Sequence, residues 1–199
     1  MHLSVPVLHG ELVTLRLLDA SDSNALVQAA QDGELWQLPF TVVPSAATVQ
    51  AYITRALHGF HEGTVLPFAV TLTASGQVIG STRFWKIDRE NRKVEIGHTW
   101  YAKSWQRTGA NTECKALMLE HAFDDLQCVR VQFTTDVLNE RSREAILRLG
   151  AVLEGTIRNE RIMPNGRKRT SLRFSIIDDE WPDVRTRLMA RLKPSPSTV

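Results

Sequence analysis

The nine residues Trp105-Gln106-Arg107-Thr108-Gly109-Ala110-Asn111-Thr112-Glu113 constrain this chain more than any other stretch. They join a strand-like run, Lys93 to Ala102, to a helix-like run, Cys114 to Leu126, whose helical spacing reaches back to Asn111, and a second strand-like run, Val129 to Asp136, follows. Strand, crossover helix and strand predict a parallel, right-handed pair. The corner between strand and helix is chemically distinctive. The first backbone N–H groups of a helix lack intrahelical partners, and the helix dipole adds positive charge there. Gly109 lets a ligand approach with no Cβ in the way. Arg107 adds a cation at the rim. The corner therefore predicts a site for a phosphate-bearing ligand, with an ordinary turn as the plainer alternative. It is neither a Walker loop nor a dinucleotide fingerprint, because no Gly-Lys-Ser/Thr follows and only one Gly is present.

The flanking sequence reads as alternating elements. Leu12 to Leu18 is strand-like, and Asp19 or Ser21 can cap a helix to about Ala30, stopped by Gly33. After Pro44-Ser45, the residues Val49, Tyr52, Ile53, Ala56, Leu57 and Phe60 form one apolar helical stripe. Leu66 to Thr73, Val78 to Trp85 and Lys93 to Ala102 look like an antiparallel meander with turns at Ala74-Ser75-Gly76 and Asp88 to Arg92. Asn139 to Leu149 is a helix that Asn139 can cap and Gly150 can end. Ala151 to Arg161 and Arg167 to Ile177 form a hairpin around Pro164-Asn165-Gly166. Asp178 or Asp179 caps a last helix with Pro182 in its first turn. Residues 193–199, with Pro194-Ser195-Pro196-Ser197, read as a flexible tail.

Composition removes several function classes. A chain of 199 residues with 43% hydrophobic content is expected to bury one core, hence one domain over 1–199. Net charge +2 does not call for nucleic acid. The basic cluster Arg158, Arg161, Arg167, Lys168 and Arg169 has no interleaved aromatics and reads as a solvated hairpin. No apolar run reaches membrane-spanning length, and the first residues lack the pattern of a secretion signal. Cys114 and Cys128 are the only cysteines, and no His-Glu-x-x-His occurs. We expect a cytoplasmic protein without a metal.

Order and motifs together resemble the GNAT acetyltransferase superfamily, in its ribosomal-protein N-terminal (RimJ/RimL-like) branch. Three parts carry the likeness, which runs from Leu12 to Leu192. Val94-Glu95-Ile96-Gly97 with Trp105 to Glu113 resembles the central strand and cofactor loop. Asn139-x-x-Ser142, ending at Leu149-Gly150, resembles the next helix. Glu154-Gly155-x-x-Arg158, Asn165-Gly166, Ser175-Ile176-Ile177 and Glu180-Trp181 resemble the closing hairpin and tail. One slot departs: Asn111 stands where the family loop usually has Gly or Ala.

The resemblance implies an α/β (α+β) fold. Its mixed, mostly antiparallel sheet has about seven strands, splayed between the fourth and fifth and flanked by helices. It implies acetyl-coenzyme A as co-substrate and an amine acceptor, either a protein N-terminus or a small molecule, in a monomer or homodimer. The pyrophosphate would lie on the N–H groups of the loop formed by Gln106, Arg107, Thr108, Gly109, Ala110, Asn111 and Thr112. The pantetheine arm would enter the splay, where unpaired backbone groups can bond it. Backbone N–H near Trp100 or Tyr101 would polarise the thioester carbonyl, and Asn139 would bond a pantetheine amide. Ser142 would protonate the departing thiolate, or else decorate the first helical turn. The base is open among Glu95, Glu160 and His98, each with an ordinary structural alternative. Arg83 and Trp85 alternate toward one face and, with Glu34 to Pro39, could shape an acceptor pocket. A catalytically silent coenzyme A-binding module is the rival within this fold. A nucleic-acid-binding module is the rival outside it.

Overall fold

The computed structural model describes residues 6–192, which form eight strands and five α-helices. The strands are β1 (Leu8–His9), β2 (Val13–Leu17), β3 (Val65–Leu72), β4 (Val78–Asp88), β5 (Lys93–Tyr101), β6 (Arg130–Asp136), β7 (Val152–Ile162) and β8 (Lys168–Ile177). The helices are α1 (Ser23–Gln31), α2 (Val49–His61), α3 (Ala110–Glu120), α4 (Glu140–Leu149) and α5 (Trp181–Leu192). One sheet runs in the order β1-β2-β3-β4-β5-β6-β8-β7. Every neighbouring pair is antiparallel except β5 and β6, the strands joined by the α3 crossover.

The sheet separates two cores. Val13, Leu15, Phe68, Phe84, Ile96 and Tyr101 are among the side chains on the α3 and α5 side. The α1 and α2 side collects Leu26, Ala30, Ile53, Ala56 and Trp100. Strand alternation sends successive residues to opposite faces. The α2 stripe behaves as its spacing requires, with Val49, Tyr52, Ile53 and Ala56 all buried.

The structure corrects some boundaries. The two-residue β1 adds an eighth strand, too short for alternation to reveal. The helix expected over Asn111 to Leu126 ends at Glu120 and widens into a π-type turn, His121–Asp125. There His121 Nδ1 lies 2.7 Å from Asp125 Oδ2, and Trp181 Nε1 donates to Asp124 Oδ1 at 2.8 Å. Asp178 and Asp179 sit inside a 3-10 turn ahead of α5 rather than at its cap, and Glu180 accepts from the Ile177 N–H at 3.0 Å. Pro194 to Ser197 lie outside the described residues. Among the described residues, no helix is long and apolar enough to cross a membrane.

Candidate active site

The parallel pair opens partway along its length. β5 and β6 are in register only at Lys93↔Arg130, Val94↔Val131 and Glu95↔Gln132. β5 then continues to Tyr101 and β6 to Asp136 without further pairing between them. The far edge of β6 stays paired to β8 along its whole length. The open backbone groups therefore face one another across a wedge between two strands.

A bulge sits on the β5 side of the wedge. Ser81 pairs with Trp100 and Arg83 with Gly97, so Thr82 faces both His98 and Thr99. His98 takes up the extra residue with φ +51°, in the left-handed region. Bulges of this kind redirect strand groups beside functional sites. Here α3 pins it: Lys115 Nζ donates to Thr99 Oγ1 at 2.7 Å and to Thr82 Oγ1 at 3.3 Å. Lys115 is buried, and burial holds its amine down to about 8.

The α3 corner faces the mouth of the wedge. Arg107 has φ +63°, which turns the loop into the helix. Thr108 Oγ1 donates to Trp105 O at 2.8 Å and accepts from the Ala110 N–H at 3.2 Å. The first helical bond runs from Glu113 N–H to Gly109 O at 2.9 Å. Asn111 and Thr112, between them, carry the orphan N–H groups of the first turn. A Cβ on Gly109 would meet only Leu12 Cδ2, at 3.6 Å, an ordinary contact. The backbone of Gly109 is also ordinary helix (φ −64°, ψ −18°). The apo fold does not demand glycine there.

The other expected residues divide by what their side chains already do. Gln106 Nε2 donates to Tyr101 O at 2.9 Å, tying the loop to the end of β5. The Trp100 and Tyr101 side chains are buried, Trp100 Nε1 donating to Tyr52 Oη at 3.2 Å. Burial raises the Tyr101 phenol well above its usual range. Only their backbone can serve the wedge. Asn139 caps α4, its Oδ1 accepting from the Ser142 N–H at 3.1 Å. Ser142 is half-buried in that first turn. Arg141, missed in the sequence, places Nη1 3.5 Å from Gln106 Oε1 and so brings a second cation to the loop. Nothing in its local pattern marks it, because the contact spans 35 positions.

The three candidate bases sit in different surroundings. Glu95, at the last paired register before the wedge, is buried. Lys86 Nζ at 2.9 Å and Gln132 Nε2 at 2.6 Å both donate to its Oε2, leaving Oε1 outside both bonds. Glu160 lies 3.6 Å from Arg173. His98 is held down to about 3, first by burial and then by the charges of Arg83, Arg161, Arg169 and Lys86. So weak a base takes little of a proton near neutral pH.

The same shift has a stability consequence. Folded His98 binds its proton below the ordinary imidazole value of 6.5, so the unfolded chain protonates first. Its contribution is intact above about pH 6.5 and fades as pH falls toward about 3. His98→Asn, which tolerates the left-handed backbone, should flatten urea midpoints between pH 6.5 and 4 relative to wild type. Parallel pH curves for the two proteins would contradict the assignment.

The basic hairpin is not simply solvated. Arg158 and Lys168 are exposed, but Arg169 is buried, and Arg161 and Arg167 are half-buried. Arg167 pairs with Asp136 and donates to Pro39 O at 3.1 Å. That bond draws the α1–α2 connector against the hairpin. Trp36, on the same connector, packs against the α1–α2 core. Among the described residues, no three His, Cys, Asp or Glu side chains gather as metal ligands. Both cysteines are buried and free, and burial raises both thiols.

A sheet opened at its single parallel pair, with a helix N-terminus at the opening, defines the GNAT fold. The model for the Acetyltransferase (GNAT) domain matches residues 13–152. A Bacillus subtilis (strain 168) protein named "Putative ribosomal N-acetyltransferase YdaF" is 30% identical over 183 residues, 86% of this chain and 94% of the relative. A crystal structure of a GCN5-related N-acetyltransferase from Brucella melitensis superposes with TM-score 0.85 at 28% identity, covering 96% of this chain and 87% of that one. Mycobacterium smegmatis RimJ, solved with CoA-disulfide, shares the fold with TM-score 0.78 at 23% identity, covering 90% of this chain and 88% of that one. The chain belongs to the GNAT acetyltransferase family. It is an acyltransferase that moves an acetyl group to an amine, and acetyl-coenzyme A is the family's donor.

Proposed function

We propose that residues 1–199 act as a single acetyltransferase domain that holds acetyl-coenzyme A at the wedge and the α3 corner and acetylates an amine. The observation that carries the reading is the loss of β5–β6 pairing after Glu95, opposite a helix start with free N–H groups. The residues fit the donor. Asn111 and Thr112 N–H, with Arg107 and Arg141, suit a pyrophosphate. Ala110 is buried, and it supports the corner through its N–H bond to Thr108. The open edges of β5 and β6 suit an amide-bearing arm, and Asn139 stands at the end of β6. When bound, the donor supplies an acyl group activated as a thioester.

The remaining steps fall to this chain. Backbone N–H near Trp100 and Tyr101 would steady charge on the acyl oxygen. Glu95 Oε1 would take the proton released by the attacking amine. An α-amine has a reference pKa of about 7.7–8.0, so the base has little to do. Ser142 Oγ would return a proton to the leaving sulfur as the carbon–sulfur bond breaks. The acceptor we propose is a peptide N-terminus or a small amine. The setting is cytoplasmic, as monomer or homodimer.

Two measurements test the reading. Coenzyme A should raise the melting temperature. At a hundredfold excess over Kd the gain is about 2.7 kcal/mol. Acetyl-coenzyme A with a panel of peptides and small amines should then show acceptor-dependent thiol release. No shift at millimolar coenzyme A would defeat the proposal. For the proton steps, Ser142→Ala should lower kcat by no more than about 100-fold, with the KM for acetyl-coenzyme A less affected. Glu95→Gln should remove the acidic limb of the pH–rate profile. An unchanged kcat with chemistry rate-limiting would leave Ser142 a structural residue, and an unchanged limb would do the same for Glu95.

A further inference from the structure

Resting on the reading that acetyl-coenzyme A lies in the wedge beside the β5 bulge and an amine attacks it there, we infer that the acceptor carries a carboxylate and that Arg83 receives it. Arg83 is only 5% exposed. Its guanidinium stands 4.9 Å from the centre of the Tyr52 ring, and it has no carboxylate partner among the described residues. Its Nε and Nη2 are buried without a hydrogen-bond partner. Those two donors share one edge of the guanidinium, the fork that takes a carboxylate side-on. Trp85 follows on the same face of β4, and its Nε1 is likewise buried and unpartnered. Gly97 makes room for it: a Cβ there would lie 2.5 Å from that nitrogen. Three buried donors on one face of β4, with no acceptor, call for an acceptor from outside.

The surrounding charge has the same sign. Each nearby carboxylate already has a cation: Glu95 has Lys86, Asp136 has Arg167, and Glu160 has Arg173. Arg83 and Arg161 are left over. Arg161 stands directly across from Arg169 in the β7–β8 register, and like charges so placed repel. Arg169 is 8% exposed, donates Nε to Ser171 Oγ at 2.8 Å and reaches Asp136 only at 3.9 Å. The charges of Arg83, Arg161 and Arg169 all bear on the ring of His98, the extra residue of the bulge. A buried cation left uncompensated is costly. An acidic acceptor relieves that cost upon binding, and a cationic one adds to it.

The carboxylate has two sources. It is the α-carboxylate of a free amino acid, or the side chain of an acidic second residue in a peptide. Acetyl-coenzyme A-dependent thiol release separates them with two matched pairs. One pair is alanine against alaninamide. The other is an amidated peptide beginning Ser-Glu against its Ser-Gln counterpart. In one pair, the carboxylate member should have kcat/KM about tenfold or more above the amide, the scale of a charged hydrogen bond. Arg83→Met should erase that preference while the KM for acetyl-coenzyme A stays within about twofold of wild type. Arg161→Gln, at a half-buried position, should shrink the preference and keeps the test readable if Arg83→Met does not fold. Equal turnover of amide and carboxylate in both pairs overturns the inference. So does a preference that survives both substitutions, or thiol release seen only with other amines. Failure of coenzyme A to shift the melting temperature would instead strike the underlying reading.

Discussion

Gly109→Val should abolish coenzyme A binding and leave the protein folded. A branched side chain at the α3 corner stands where a pyrophosphate must lie against the Asn111 and Thr112 N–H groups. Charge-assisted hydrogen bonds are worth about 1.5–3 kcal/mol each, so losing two costs roughly 100-fold or more in affinity. The apo fold has little reason to object. The Gly109 backbone is ordinary helix, and the first Cβ carbon meets only Leu12 at 3.6 Å. Binding and stability therefore separate. Titration with coenzyme A and the thermal midpoint of the apo protein should be measured on the same preparation. A variant that melts early yet binds like wild type would show the corner to be structural.

Glu113→Ala should have the opposite signature, a large loss of stability. Glu113 is 8% exposed in the first turn of α3, where a carboxylate also favours the helix dipole. Its Oε1 accepts from the Glu11 N–H at 2.9 Å, and its Oε2 from Leu12 at 2.9 Å and Val13 at 2.6 Å. One side chain thus satisfies three backbone donors of the β1–β2 turn and fastens it to the corner of the site. Removal takes away three charge-assisted bonds and leaves sequestered donors without partners. The expected cost is on the order of 3–5 kcal/mol. For a chain of this size that lowers the midpoint by roughly 10 °C. A midpoint within about two degrees of wild type would mean that water or a shifted turn replaces the carboxylate.

These two residues also show what the sequence could reveal. The Gly109 corner was legible because a strand, a loop and a helix start are local signals. The α2 stripe and the α4 cap with its Gly150 stop were readable for the same reason: their patterns close within a few turns. No local pattern marks Glu113, because its partners lie about a hundred positions away. The bulge was equally hidden, since His98 is extra only in relation to the register of β4. Arg83 and Trp85 could be placed on one face by alternation. Their lack of partners follows from where every other charge settles, which no local pattern records. The same holds for the hairpin arginines. Their run suggested solvation, and the fold turned Arg161, Arg167 and Arg169 inward.

A crystal structure of the protein with coenzyme A tests the central claim most directly. We predict pyrophosphate oxygens within hydrogen-bonding distance of the Asn111 and Thr112 N–H groups, near Arg107 and Arg141. The pantetheine arm should lie between β5 and β6 beyond Glu95 and Gln132, with its sulfur approaching Ser142. Coenzyme A bound elsewhere, or a wedge closed by continued β5–β6 pairing, would contradict the account.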